Sequence, residues 1–237
     1  MTDFPTSPTF SKHAENLRAV DSTLTQIERA HKRAIRDRDQ PSEMAMRVIH
    51  TLLLGVYAEA RLRKILEDPT GFNDRERRLI WLERSQDKRW LAAVDVAARR
   101  HYKVMSHQEL HEVVPPPALE RVETVSDLLN DDLAPVITDR NKLAHGQWVH
   151  QLKSRREDVF VAEPTTYDYN FVALRARSKL LDYIARLVNV LAVSGPTFDR
   201  DFESLIDKIH EAKRDLDGVR YSEFAAQLRT TKQSVPE

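Results

Sequence analysis

Val48-Ile49-His50-Thr51-Leu52-Leu53-Leu54-Gly55-Val56-Tyr57-Ala58-Glu59-Ala60-Arg61-Leu62-Arg63-Lys64-Ile65-Leu66 is apolar on almost every side of a 3.6-residue spiral. Val48, Ile49, Leu52, Leu53, Leu54, Val56, Tyr57, Ala60, Leu62 and Ile65 leave no broad polar face, and a helix of that kind belongs at the centre of a bundle. Pro41-Ser42 opens it and Leu66 closes it. Upstream, from about His13 to Arg38, a single stripe of Leu17, Val20, Leu24, Ile27, Ala30 and Ala34 predicts a surface helix. Its far end carries Arg29, Lys32, Arg33, Arg36 and Arg38, a basic turn that suits the helix dipole or, alternatively, RNA phosphates.

Downstream the same alternation of stripe and breaker continues. Asp68-Pro69-Thr70-Gly71 reads as a turn, and Asn73 with Glu76 three later as a capping box. Helix follows through Leu79, Ile80 and Leu82, with a break near Ser85-Gln86-Asp87. Trp90, Leu91, Val94 and Ala97 then continue to about Lys103, with Trp90 in the core. Pro115-Pro116-Pro117 precedes a short helix over 118–129, and Asn130-Asp131-Asp132 caps the next, with Pro135 in its first turn. Gln147 to Leu152 and Asp158 to Ala162 flank the polar turn Lys153-Ser154-Arg155-Arg156-Glu157, which predicts a small β-hairpin. A long helix runs from about Tyr169 to Ser194, ended by Gly195-Pro196. Thr197 caps another through Phe198, Phe202, Leu205, Ile206 and Ile209, stopped by Gly218, and a last helix spans Ser222 to Thr230. The expected fold is an all-α helical bundle with a small β-hairpin insertion. Residues 1–11, rich in Pro, Ser and Thr, form a flexible arm, 12–195 the bundle, and 196–237 a helical extension packed on the same domain.

Composition removes several classes of chemistry. The 237 residues hold 37 basic and 37 acidic side chains, so no overall field draws the chain to nucleic acid and any such site must be a local patch. The absence of cysteine removes disulfides, thiolate catalysis and cysteine-ligated zinc together. Five widely separated glycines permit neither a P-loop nor a dinucleotide fingerprint. No apolar run approaches the ~20 residues of a membrane span, and the first ten residues lack a secretory pattern, so a cytoplasmic location is expected. His107 and His111 are four apart, but the glutamate between them is misplaced for the zinc-protease motif and no third ligand is in sight, so no metal is expected.

The stretch before the hairpin carries side chains that packing does not ask for. In Thr138-Asp139-Arg140-Asn141-Lys142-Leu143-Ala144-His145-Gly146, Arg140 falls on the apolar stripe of Leu133, Val136, Ile137 and Leu143. A charge there needs a partner or a ligand, because burying it alone costs several kcal/mol. Glu59 is the candidate partner, although Arg63, four residues on, competes as an ordinary helical pair. Asn141 and His145 share the neighbouring stripe, and Gly146 supplies the left-handed residue at which helices stop. His145 therefore sits in the last turn, where the dipole favours imidazolium by roughly 0.3–1 kcal/mol. Close by in sequence, Lys142, Trp148, His150, Lys153, Arg155 and Arg156 offer stacking and phosphate contacts to a single strand, unless Trp148 only packs the hairpin onto the bundle.

Arg140, Asn141 and His145, followed by Gly146, resemble the Arg-x4-His signature of the HEPN superfamily. That resemblance implies an all-helical, metal-independent endoribonuclease of a bacterial toxin or phage-defence system that needs no cofactor. It also implies a homodimer with a composite site at its interface, an RNA substrate, and an antitoxin or defence-system partner protein. Residue geometry agrees with the need for two copies: five residues on an ideal helix separate Arg140 from His145 by about 140°. The alternative is a HEPN-like binding or scaffolding module without catalysis, and a further one is a structural helical protein in which Arg140 merely pairs with Glu59.

Overall fold

The computed structural model describes residues 8–153, 156–161, 169–218 and 220–230. It is an all-α bundle with a two-stranded antiparallel hairpin. The first helix, α1 (Pro8–Asp37), starts inside the stretch expected as an arm, and residues 1–7 of that arm lie outside the described residues. Arg38 turns the chain with a φ of 58°. Asp39 then caps α2 (Gln40–Leu66), its carboxylate accepting from the Ser42 amide at 3.1 Å and from the Ser42 hydroxyl at 2.6 Å. Leu54, Tyr57, Ala58, Leu62, Ile65 and Leu66 are all buried on α2. Its apolar girdle reflects its place between α1 on one side and the helices of the second half of the chain on the others.

The short helix α3 (Asp74–Trp81) carries the expected capping box on Asn73 and Glu76. After a break, α4 (Gln86–Tyr102) buries Trp90 completely. His107 lies in the turn ahead of α5 (Leu110–Val113) while His111 is within it, so the two histidines share no helix face. Next comes α6 (Pro116–Leu128), which does not stop at Asn130-Asp131-Asp132 as the polar run suggested. It passes through one wide turn, Leu129–Leu133, directly into α7 (Ala134–Ala144). The Ala134 amide donates to the Leu129 carbonyl five residues back. A proline within a regular helix has no amide to give and clashes with the carbonyl four residues before it. The π turn just ahead of Pro135 absorbs that conflict without breaking the rod. Asp132 pairs with Lys213 at 2.7 Å instead of capping.

The hairpin is smaller than its sequence suggested: β1 (Leu152–Lys153) pairs with β2 (Arg156–Phe160), Leu152 opposite Phe160, with an irregularity after Leu152. Residues 147–150 are irregular, and 154–155 and 162–168 lie outside the described residues. The long helix α8 (Phe171–Val193) is capped by Asn170, and Leu174, Leu180, Leu181, Ile184, Leu187, Val188 and Leu191 are buried as the periodicity required. Gly195 and Pro196 open the next helix, α9 (Gly195–Gly218), rather than only ending the previous one. Its cap is Ser194, not Thr197: the Thr197 amide reaches the Ser194 hydroxyl at 3.4 Å. Finally α10 (Tyr221–Thr230) returns to α1, where Ile35, Phe171 and Ala225 form a second small core. Among the described residues no helix is long and apolar enough to cross a membrane.

Candidate active site at the end of α7

Helix α7 ends in a Schellman arrangement that follows from Gly146. With φ at +78°, Gly146 takes the left-handed conformation that side chains resist. Its amide reaches the Leu143 carbonyl at 3.1 Å, and the Gln147 amide reaches the Lys142 carbonyl at 3.0 Å. The Trp148 indole N–H also donates to the Leu143 carbonyl, at 3.1 Å, so a residue three positions past His145 seals the helix end. His145 is the C-cap residue and is exposed, its imidazole at the negative end of α7.

Arg140 reaches the surface by passing close over α2. Gly55 stands directly beneath it: a Cβ built on Gly55 would lie 2.2 Å from the Arg140 Cβ and 2.6 Å from its Cγ. Only a residue without a side chain allows α2 and α7 to approach this closely. The guanidinium is then held at two nitrogens. Nη2 donates to Glu59 Oε2 at 3.0 Å and Nη1 to Asn141 Oδ1 at 3.0 Å. The other oxygen of Glu59 accepts from Arg63 at 2.9 Å, so the helical pair and the cross-helix pair coexist. Arg140 and Glu59 each remain 30% exposed, and Nε of Arg140 is buried with no partner. The structure thus brings Glu59, Arg140 and Asn141 together, with His145 one turn away at the helix end.

The residues expected to contact RNA divide differently. Lys142 is engaged, its Nζ donating to the buried Gln151 at 2.5 Å, and this contact pins the hairpin to α7. Trp148 is 48% exposed, so it both closes the helix and presents ring surface. His150 sits edge-on to the exposed Phe160, and Lys153 is exposed on β1. Arg155 lies outside the described residues, as does the side chain of Arg156. At the end of α1, Lys32 lies over the Phe171 ring and Arg36 pairs with Asp37. Behind α7, Asp139 accepts from the Tyr169 hydroxyl at 3.2 Å, and burial pushes its carboxyl up.

Two groups were not singled out in the sequence. One is a cleft of about 310 Å³ that begins at Arg140 and Asn141 and runs past Arg63 to the α3–α4 corner, where Trp81, Arg84, Gln86 and Arg89 line it. The signal was the basic flank on both sides of the Ser85-Gln86-Asp87 break, Arg84 before it and Lys88-Arg89 after. The other is the buried pair His31 and His50, fully covered, with all four ring nitrogens lacking a partner. Burial holds both imidazoles down, to about 4. Their sequence signal was slight: His31 lies between Ala30 and Ala34 of the apolar stripe of α1, and His50 within the apolar run of α2. Compared with protein-family models, with curated proteins and with solved structures, the chain matches none of them.

Proposed function

We propose that the chain is a metal-independent endoribonuclease of HEPN type, acting as a homodimer in a toxin or phage-defence setting. The observation that carries the reading is Arg140: its stem is set over Gly55, its fork is fixed by Glu59 and Asn141, and it stands at the end of a helix that exposes His145. In the reaction, His145 takes the proton of a ribose 2′-hydroxyl as that oxygen attacks the adjacent phosphorus. The P–O5′ bond breaks, a second imidazole protonates the leaving 5′-oxygen, and the products are a 2′,3′-cyclic phosphate and a 5′-hydroxyl. Arg140 stabilises charge on the non-bridging oxygens, for which a guanidinium fork is suited. Asn141 orients that fork. Two histidines are needed and each copy offers one at this helix end, so a two-fold assembly of α7 ends completes the site.

The hold of Glu59 on Arg140 favours a second reading, a HEPN-like binding or scaffolding module in which the pair is structural. Incubation of purified protein with total RNA in EDTA separates the two, with His145→Ala and Arg140→Ala beside wild type. The ion pair is partly solvated and Glu59 keeps Arg63, so Arg140→Ala should lower stability by ~1 kcal/mol or less. Cleavage lost in both variants, with the fold intact by circular dichroism, supports the nuclease. Equal cleavage by all three proteins, or none by wild type, refutes it.

A further inference from the structure

Arginines crowd the cleft running from Arg140 to the α3–α4 corner. Four guanidiniums line it, Arg63, Arg84, Arg89 and Arg140, against the single carboxylate of Glu59. In a chain with 37 charges of each sign, that local excess is the kind of patch a polyanion needs. Glu59 is already divided between Arg63 and Arg140. Arg84 is exposed and has no hydrogen bond or ion pair among the described residues. Arg89 and Arg63 lie over the Trp81 ring, at 4.7 and 5.3 Å, and Arg89 also donates to the Glu83 carbonyl at 2.9 Å, so both guanidiniums are held at the corner.

Two further features point the same way. The first turn of α4 faces this cleft through Ser85 and Gln86, and Ser85 makes no side-chain cap, leaving the first amides of a 17-residue helix to other acceptors. Gln86 Nε2 and Arg140 Nε, both from residues of the lining, are buried donors without hydrogen-bond partners. Leaving a buried donor unpaired is unfavourable, and an anion drawn into the cleft would give these donors an acceptor.

We infer that this cleft seats backbone phosphates of a single-stranded nucleic acid that continues from the Arg140 end of α7, with Arg84 at its outer end. The inference deepens the nuclease reading and rests on it for the identity of the strand. It assigns specificity to strand length: a ligand must reach from the scissile position to the α3–α4 corner.

The experiment uses a 2′-deoxy 12-mer, which lacks the attacking hydroxyl and cannot be cleaved by the proposed route, so binding is read apart from activity. Affinity is measured across a salt series for wild type, Arg84→Gln and Arg84→Glu, with Arg78→Gln as a control for an exposed α3 arginine outside the cleft lining. The expected result is a loss of about 5-fold for Arg84→Gln, a larger loss for Arg84→Glu, and a salt slope reduced by about one for the neutral variant. Arg78→Gln should bind as wild type. Equal affinity for wild type and both Arg84 variants overturns the inference, and so does binding of a nucleoside monophosphate as tight as that of the 12-mer. Absence of RNA cleavage by wild type would remove the nuclease reading while leaving this binding result to stand or fall by itself.

Discussion

Gly55→Ala is the sharpest test of how Arg140 is positioned, because two opposing effects give opposite signs. In an ordinary helix, alanine for glycine gains about 0.5–1 kcal/mol through reduced freedom of the unfolded chain. Here the added methyl would meet the Arg140 Cβ at 2.2 Å, its Cγ at 2.6 Å and the Val136 carbonyl oxygen at 3.2 Å. A comfortable carbon–carbon contact is about 3.8 Å, so α2 and α7 must part by roughly 1.6 Å. The atoms in the way are the root of the side chain and the backbone of a packed helix, not a mobile tip. Overpacking of that kind costs up to ~3 kcal/mol, which leaves a net loss of ~2 kcal/mol after the helical gain. For a chain of 237 residues that corresponds to a melting point lower by about 4–8 °C. Urea unfolding followed by far-ultraviolet circular dichroism measures the free-energy loss, and a thermal scan the melting point. A variant as stable as wild type, or more so, would mean that the two helices do not touch at Gly55, and the placement of Arg140 would have to be given up.

Two other perturbations probe parts of the molecule outside that contact. Folded His31 and His50 resist protonation until about pH 4, whereas in the unfolded chain they take protons near 6.5, so the unfolded state binds more protons between those limits and stability falls as pH falls through that window. His31 faces Glu43 and Arg47 as well as His50. At ~1.4 kcal/mol per unit the loss by pH 4 is on the order of 3 kcal/mol per histidine, and His50→Leu should flatten the slope of urea midpoint against pH; parallel slopes would show that the histidines do not drive it. At the end of α7, a Cβ on Gly146 meets nothing within 4 Å, so Gly146→Ala reports backbone strain alone. It should lower stability by ~1 kcal/mol through the left-handed conformation, and an unchanged urea midpoint would contradict the Schellman ending.

What the sequence made legible was what depends on local periodicity. The all-round apolar run of α2, the stripe of α8, Trp90 in the core and the capping box at Asn73 each have a cause within a few residues, and each is found where that cause puts it. The misreadings had causes outside their own window. Asn130-Asp131-Asp132 looks like a stop, but Leu129 and Leu133 on either side are buried by the bundle, and Asp132 is drawn to Lys213 on a distant helix. Packing thus overrode local polarity, and a π turn accommodated Pro135. In the site, Arg140 with Asn141 could be read from spacing, and Glu59 could be named only with two rival partners, Arg63 and Arg140. That both pairings occur together depends on the α2–α7 approach at Gly55. The cleft was hidden for the same reason, since Arg63, Arg84, Arg89 and Arg140 are scattered over 78 positions and meet only where the start of α4 comes against α2 and α7.

If Arg140 serves the proposed nuclease, Glu59 decides how it can serve stability as well. A guanidinium near the surface of an apolar helix face needs an acceptor when no substrate is present, and Glu59 supplies one. The same acceptor would weaken the pull of Arg140 on a phosphate if the carboxylate acted alone. It does not, because Arg63 takes its other oxygen, so one negative charge is shared by two positive ones. The surplus charge therefore stays in the cleft, and the fork of Arg140 is held in one orientation by Glu59 and Asn141 before any ligand arrives. Fixed donors do not have to be reorganised when charge develops on a phosphoryl group, which is the condition under which electrostatic stabilisation is most effective. In the proposed nuclease Glu59 is thus a positioning residue rather than a competitor for phosphate, and Arg63, by taking its other oxygen, keeps that role compatible with anion binding.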